Sequence, residues 1–379
     1  MVYLDNSAGT RPYPEVIETI TNVLTNHWGN ASADNSFGKD AMTIIDQVTN
    51  QVAEDINCTP DELIWTSGAC EANSLAIYGL VQNKHLHVFT SNLEHTSISL
   101  ALNQLDRYEC SYDFISNDTE GFINLEDLEY KLSHIKGWRF PLVSISFANS
   151  EIGVIQDIKS IADIVHKYNG YLHVDATQMY PWHEINVRNL SIDLMSVSGQ
   201  KMNCCKGVGF LFVRSGINIA PIIYGSQQAE LRGGSYPTHL IAAFGKALEL
   251  NRKIHVTSDV KILRNHLLSQ LLLIDGVILN GPGVDSMRLP NNISLTIDDV
   301  KAETLVTMCD LMGVIIAKGS ACKSHESKPS EVLLAIGLTE DEALNTIRIS
   351  LDGFNTIEEI NTAANIITAL VERIRSENE

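Results

Sequence analysis

The 379 residues include 27 basic and 46 acidic side chains, for a formal net charge of −19, at a mean hydropathy of +0.01. A chain of this length exceeds what one hydrophobic core usually holds, about 250 to 300 residues, so two domains are expected. The acid excess argues against a surface that grips nucleic-acid phosphates directly, because that affinity comes from Lys and Arg neutralising them. The opening MVYLDNSAGT has neither a basic n-region nor an apolar h-region, and later apolar stretches break well before about 18 residues. A cytoplasmic protein without a membrane partner is therefore expected.

Seven cysteines, Cys58, Cys70, Cys110, Cys204, Cys205, Cys309 and Cys322, are odd in number and scattered, which fits reduced thiols better than a disulfide framework. None has zinc spacing, so no metal is expected. The adjacent Cys204 and Cys205 are expected to point apart and to make a poor clamp.

In chain order, a short polar segment precedes a helix predicted over Pro14 to Asn26. The loop HWGNASADNSFGKD follows, then a second helix over Ala41 to Asn57. From Leu63 the pattern becomes strand then helix, repeated. The runs LIWT (Leu63 to Thr66), HVFT (His87 to Thr90), LVSISF (Leu142 to Phe147), YLHVD (Tyr171 to Asp175), LMSVS (Leu194 to Ser198) and VGFLFV (Val208 to Val213) read as buried strands. Helices over Glu71 to Val81, Ser97 to Leu105 and Ile158 to Tyr168 separate several of them. Such alternation implies a mostly parallel sheet covered on both faces, with ligands collecting at the carboxyl ends of its strands. After a helix over Pro237 to Arg252 the texture changes to fewer strands and longer helices, the mark of a second, α+β domain. The expected division is 13–250 for a large domain, with 1–12 and 251–379 forming a small one.

Lys201 lies between two of the predicted strands, just before a Lys-Gly-Val-Gly turn. A lysine ammonium held against a core has the setting for Schiff-base chemistry. Asp175 ends another apolar run, and a carboxylate there can pair with a protonated pyridine nitrogen. Together they suggest pyridoxal phosphate chemistry. The TSGACEAN turn could seat a phosphate on Gly68, Ala69 and Cys70 at a helix N-terminus, or be a plain strand-to-helix connection. His95 could stack on a flat ring or move protons, or be a surface histidine. Asn149 and Gln178 also fall at strand ends, where amides can bond a ring hydroxyl or a carboxylate. Arg348, inside the apolar run NTIRISL, suits bidentate capture of an α-carboxylate, or a structural salt bridge. Cys322 sits in AKGSACKSHESKPSE among Lys318, Lys323 and Lys328, where positive charge favours thiolate. It is the strongest nucleophile candidate of the seven.

These blocks, YLDNSAGT, TSGACEAN, EHTSI, NSEIGVIQDI, HVDATQ, SGQKMNCCKGVG, RGGSYPTH, GSAC and IRISL, stand in the order found in the cysteine desulfurases, and the chain resembles that family over nearly its whole length. The resemblance implies the fold type I of pyridoxal-phosphate transferases, with a mostly parallel seven-stranded sheet in an α/β large domain and a smaller α+β domain. It implies that Lys201 carries the cofactor as a Schiff base and that His95 stacks on the ring. Asp175 would pair with the pyridine nitrogen and Gln178 contact the ring hydroxyl. Ser198 and the Gly68 to Cys70 turn would hold the phosphate, with Ser235 reaching it from the partner subunit of a homodimer. Arg348, Asn149 and Asn30 would hold the carboxylate of L-cysteine, and Cys322 would take the sulfur for delivery to an acceptor protein.

Three positions depart from the family pattern. Gln200 stands where a histidine usually precedes the lysine, turning an imidazole contact to phosphate into an amide one. Cys70 replaces a threonine hydroxyl. The loop from Gly29 to Phe37 lacks its usual proline. These differences point to a specialised branch, one supplying sulfur for DNA phosphorothioation instead of iron–sulfur assembly. Other readings are a selenocysteine lyase, a related aminotransferase, or a non-catalytic sulfur-transfer scaffold.

Overall fold

A computed structural model describes residues 1–82, 84–253, 256–319 and 328–378. The N-terminal strand β1 (Val2–Tyr3) is followed by β2 (Leu63–Thr66), β3 (Leu86–Ser91), β4 (Ser111–Ile115), β5 (Phe140–Ser146), β6 (Tyr171–Asp175), β7 (Leu194–Ser198) and β8 (Gly209–Val213). Strands β2 to β8 form one sheet in the order β2-β8-β7-β6-β5-β3-β4. Only β8 runs against its neighbours; the other adjacent pairs are parallel. The central strands carry apolar residues at consecutive positions because both sheet faces are covered. Leu142, Leu194 and Leu211 pack against the helix Ala69–Val81 on one face, while Val143, Val174 and Phe210 join a larger cluster on the other. At roughly 1.5 to 3 kcal/mol for each large apolar side chain buried, these two layers dominate the stability of the unit.

Three of the predicted strands match to the residue, β2, β6 and β7, and the helix Pro14–Asn26 does as well. Strand β4 has no counterpart among the predicted runs: as the sheet's edge it exposes Tyr112, Asp113 and Phe114, so no apolar run announces it. The second helix begins at Ser36, earlier than expected, because Asn35 accepts a hydrogen bond from Gly38 N and starts it within the polar loop. Inside the sheet, His173 ties three strands: its Nδ1 lies 2.8 Å from Ser144 Oγ and its Nε2 2.9 Å from Ser196 Oγ. Burial pushes its pKa down to about 4, against an opposing pull from Asp175, so the ring is a neutral rung.

The remaining strands, β9 (Val277–Leu279), β10 (Asn292–Ile297), β11 (Val314–Ile315), β12 (Ala317–Lys318) and β13 (Thr346–Ser350), lie apart from the large sheet. Four form a sheet ordered β12-β13-β10-β9, and β11 pairs in parallel with β1. The N-terminus thus belongs to this second body: Val2 and Leu4 share a core with Leu267, Leu295, Ile349 and Ile367. Among the described residues no helix is long and apolar enough to cross a membrane.

Candidate active site

The strand registers bring polar residues to one edge of the large sheet. Ser146 pairs with Asp175, Ser198 with Gly209, and Thr66 with Gly209. A cavity of about 520 Å³ opens at this edge, lined by Gly68, Ala69, Cys70, His95, Asn149, Asp175, Gln178, Ser198, Gln200, Lys201 and Arg348.

Lys201 closes the single 3₁₀ turn after β7. Its Nζ donates to the carbonyls of Ser7 and Ala8, each at 2.7 Å, so the N-terminal segment holds the ammonium at the cavity wall. Thr10 Oγ1 donates to Gln200 O at 2.9 Å and ties the same segment to the lysine's turn. Gln178 Nε2 reaches Ser7 O at 3.2 Å. Asp175 is 5% exposed at the end of β6. Its Oδ2 accepts from Asn73 Nδ2 at 2.7 Å and its Oδ1 from Thr177 N at 3.0 Å. Asn73 lies on the helix that begins at the TSGACEAN turn, so one element both orients the carboxylate and presents its own N-terminus.

That turn is built for close approach. Gly68 has φ +145°, and a Cβ added there would fill the space facing Ser198 Oγ, 3.5 Å away. Gly209 is required on the other side, where a Cβ would lie 2.8 Å from Gly68 Cα. Ser67 N and Arg232 Nε each bond the Glu71 carboxylate at 2.8 Å, fixing the first helical turn to the RGGS loop. Burial raises the Glu71 pKa, but these bonds outweigh it and hold the group below the usual carboxylate range.

His95 caps its helix: Ser97 N donates to Nδ1 at 3.1 Å. An Nδ1 that accepts leaves the ring proton on Nε2 in the neutral form. Beside it, Glu94 is held between Ser91 Oγ at 2.7 Å and Ser146 Oγ at 2.6 Å. Burial, reinforced by Asp175 and opposed by the two hydroxyls, pushes its pKa up to about 7.

The substrate-side candidates are engaged differently. Arg348, 4% exposed, donates from Nη2 to Asp5 Oδ1 at 2.7 Å, while its buried Nε has no partner among the described residues. Asn149 spends its amide on backbone groups, one in the loop after β3 and two in its own loop. Nδ2 donates to Leu93 O at 2.8 Å, and Oδ1 accepts from Glu151 N and Ile152 N at 2.8 and 3.0 Å. Its wall position is therefore structural first, and the adjacent Ser150 lines the cavity with it. Asn30 is exposed, accepts from Ser32 N in its own turn, and does not line the cavity. Ser235 is exposed and outside the cavity of its own chain. Cys322 lies outside the described residues. The expectation that Cys204 and Cys205 diverge is overturned, since their sulfurs are 3.7 Å apart.

Lining carboxyls that drew no role from the sequence include Glu94 and Glu151. Both stand inside quoted blocks, EHTSI and NSEIGVIQDI, each beside a residue that drew the attention. Only the fold reveals that they point inward.

Residues 2–362 match the class-V aminotransferase family. Cysteine desulfurase IscS 1 of Archaeoglobus fulgidus is 35% identical over 99% of this chain and 98% of its own. The chain belongs to the cysteine desulfurases of the class-V aminotransferase family. Among solved structures, SspA in complex with cysteine superposes with a TM-score of 0.81 at 28% identity, covering 94% of this chain and 100% of that one. DndA from Streptomyces lividans gives a TM-score of 0.75 at 31% identity, covering 92% and 99%. The fold is that of the pyridoxal-phosphate enzymes of this family, and pyridoxal phosphate is its cofactor. The cavity fits that group: an amine at Lys201 for its aldehyde, a buried carboxylate at Asp175, and a glycine turn opposite Ser198 with room for a phosphate.

Proposed function

We propose that this enzyme converts L-cysteine to L-alanine and passes the sulfur, through a persulfide on Cys322, to an acceptor protein. The observation that carries the reading is the convergence of Lys201, Asp175, His95 and Arg348 on one cavity, in a chain whose relatives are named cysteine desulfurases. When bound, pyridoxal phosphate supplies an electron sink for carbanion chemistry at the substrate Cα.

The chain's own groups do the rest. The Gly68 to Cys70 backbone and Ser198 hold the phosphate, joined by Gln200 and, from a second copy in a homodimer, by Ser235. Asp175 stays oriented by Asn73 and Thr177. Gln178 contacts the ring hydroxyl. The free edge of the Arg348 guanidinium binds the substrate carboxylate, with Asn149 shaping that wall; Asn30, outside the cavity, takes no part in it. Lys201 or His95 moves the Cα proton. The Cys322 thiolate then attacks the substrate sulfur: an S–S bond forms as the C–S bond breaks, and the electron pair left on carbon takes up a proton on the way to alanine. We place the division of the chain at 13–250 and at 1–12 with 251–379, supported by Val2 and Leu4 packing into the second core. The departures at Gln200, Cys70 and the loop from Gly29 to Phe37 support a specialised branch, for which we propose DNA phosphorothioation as the destination of the sulfur.

The test is direct. Purified protein should be yellow, borohydride should fix the cofactor to Lys201, and cysteine should yield alanine and, with added thiol, sulfide. Unchanged alanine production by Lys201→Ala would overturn the reading.

A further inference from the structure

One buried carboxyl of the cavity has no part in the chemistry above. Glu151 is 5% exposed and lies in the loop after β5. Its backbone is fixed twice: its N–H donates to Asn149 Oδ1 at 2.8 Å, and its carbonyl accepts from Asn292 Nδ2 at 3.1 Å. The side chain is thus aimed from a rigid base into the cavity.

What it meets there comes from far along the chain. Oε2 accepts from Ser330 Oγ at 2.8 Å. Oε1 is buried without a hydrogen-bond partner among the described residues and packs on Gly319, where an added Cβ would stand only 2.5 Å from it. Gly319 is tied in turn to β13 through its N–H to Thr346 O at 3.0 Å, and Ser330 caps the helix Glu331–Ala335. The two described residues that Glu151 touches therefore stand on either side of Cys322 in the sequence. Arg348, the cation proposed for the substrate carboxylate, also acts on Glu151 electrostatically.

We propose that Glu151 is a positioning residue that clamps Gly319 and Ser330, the described residues that flank Cys322 in the sequence, and so sets the rate at which that thiol takes sulfur. A buried carboxyl costs stability unless its placement serves something. Leu or Met would fill the same volume without that cost, but neither would accept the Ser330 proton. The glycine at 319 has the same logic, since any side chain there would push the carboxyl away.

The proposal rests on the desulfurase reading, and its test separates the two. Cys322 alkylation by iodoacetamide is followed by peptide mass in the holoenzyme without substrate, beside a single-turnover measurement of alanine formation and of persulfide at Cys322. Glu151→Ala and Ser330→Ala should each change the Cys322 alkylation rate by about tenfold, the scale of one lost buried hydrogen bond. Each should slow persulfide formation to a similar degree while cysteine binding, read from the cofactor's absorbance, stays within about twofold, a split of the kind that separates positioning from binding. Glu151→Gln, which keeps the acceptor for Ser330, should restore both rates. Wild-type alkylation and transfer in Glu151→Ala would overturn the clamp and leave the desulfurase reading intact. Failure of the native enzyme to make alanine would sink that reading, while the alkylation arm would still decide the clamp. If Glu151→Ala fails to fold, Ser330→Ala and Gly319→Ala carry the test; wild-type rates in both would overturn it.

Discussion

The two halves of the cavity are built on different principles. On the sheet side, Gly68, Asp175, Ser198 and Lys201 each follow or end a strand of one sheet, and only Lys201 is also held by the N-terminal segment, through the Ser7 and Ala8 carbonyls. On the opposite side, the working groups are joined across great sequence distance: Arg348 bonds Asp5, and Ser330 bonds Glu151. A single sheet edge gives the first half its rigidity at once, since register fixes every strand end together. The second half holds only while the two bodies of the fold stay in place. The Gly68, Asp175 and Ser198 part of the cofactor site should therefore tolerate damage to the second body better than substrate placement does.

Breaking the sheet side should have the largest effect. Lys201→Ala is expected to lower kcat by roughly 10⁴-fold, the upper scale for one acid–base group, and to abolish borohydride fixation at that position. A loss of tenfold or less, measured by alanine release, would show that the sheet side does not carry the chemistry. Next comes Arg348→Ala on the far side, expected to raise KM for cysteine about a hundredfold while the cofactor's absorbance is retained. Lost absorbance instead would erase the proposed independence of the two halves.

A smaller effect sharpens the comparison further. Asp5→Asn removes the counter-charge of a guanidinium that is almost fully buried, and should cost roughly 1 to 3 kcal/mol by denaturant unfolding, less than for a fully buried pair because Asp5 keeps some solvent contact. It should also loosen Lys201 little, since the lysine is held by Ser7 and Ala8 carbonyls.

The smallest expected effect is on pH. Burial raises Glu94 and Glu151 from 4.5 to about 7. The contribution of each to stability is full below about 4.5 and is lost as pH rises through about 7, because the unfolded chain ionises first. Because His173, pushed down from 6.5 to about 4, contributes the opposite slope over much of that window, the effect is read by difference: Glu94→Gln should make the change in Tm from about pH 4.5 to 7 more positive than in the native enzyme. A pH dependence of Tm that is the same in the native enzyme and the variant would contradict this.

How much of this was legible in the sequence follows the same division. The strands β6 and β7 announce themselves by apolar runs, and Asp175, Ser198 and Lys201 follow directly as what stands at or beyond their ends. Edge strand β4 is invisible because exposure erases its apolar pattern. Arg348 could be singled out as a charge inside an apolar run, but its bond to Asp5 depends on β1 pairing with β11 and on Asp5 bridging to Ser350, which no local pattern encodes. Asn149 illustrates the opposite error: a polar residue at a strand end that backbone groups consume. Glu94 and Glu151 are ordinary acidic residues until the fold encloses them.

The central claim is that sulfur leaves cysteine at this cavity and arrives on one thiol. Incubating the holoenzyme with sulfur-labelled L-cysteine, quenching with an alkylating agent and mapping all seven cysteine peptides tests it most directly. The account predicts alanine together with one labelled persulfide sulfur on Cys322. Alanine formed with the label on Cys70 or Cys205, or cysteine recovered unchanged, would contradict it.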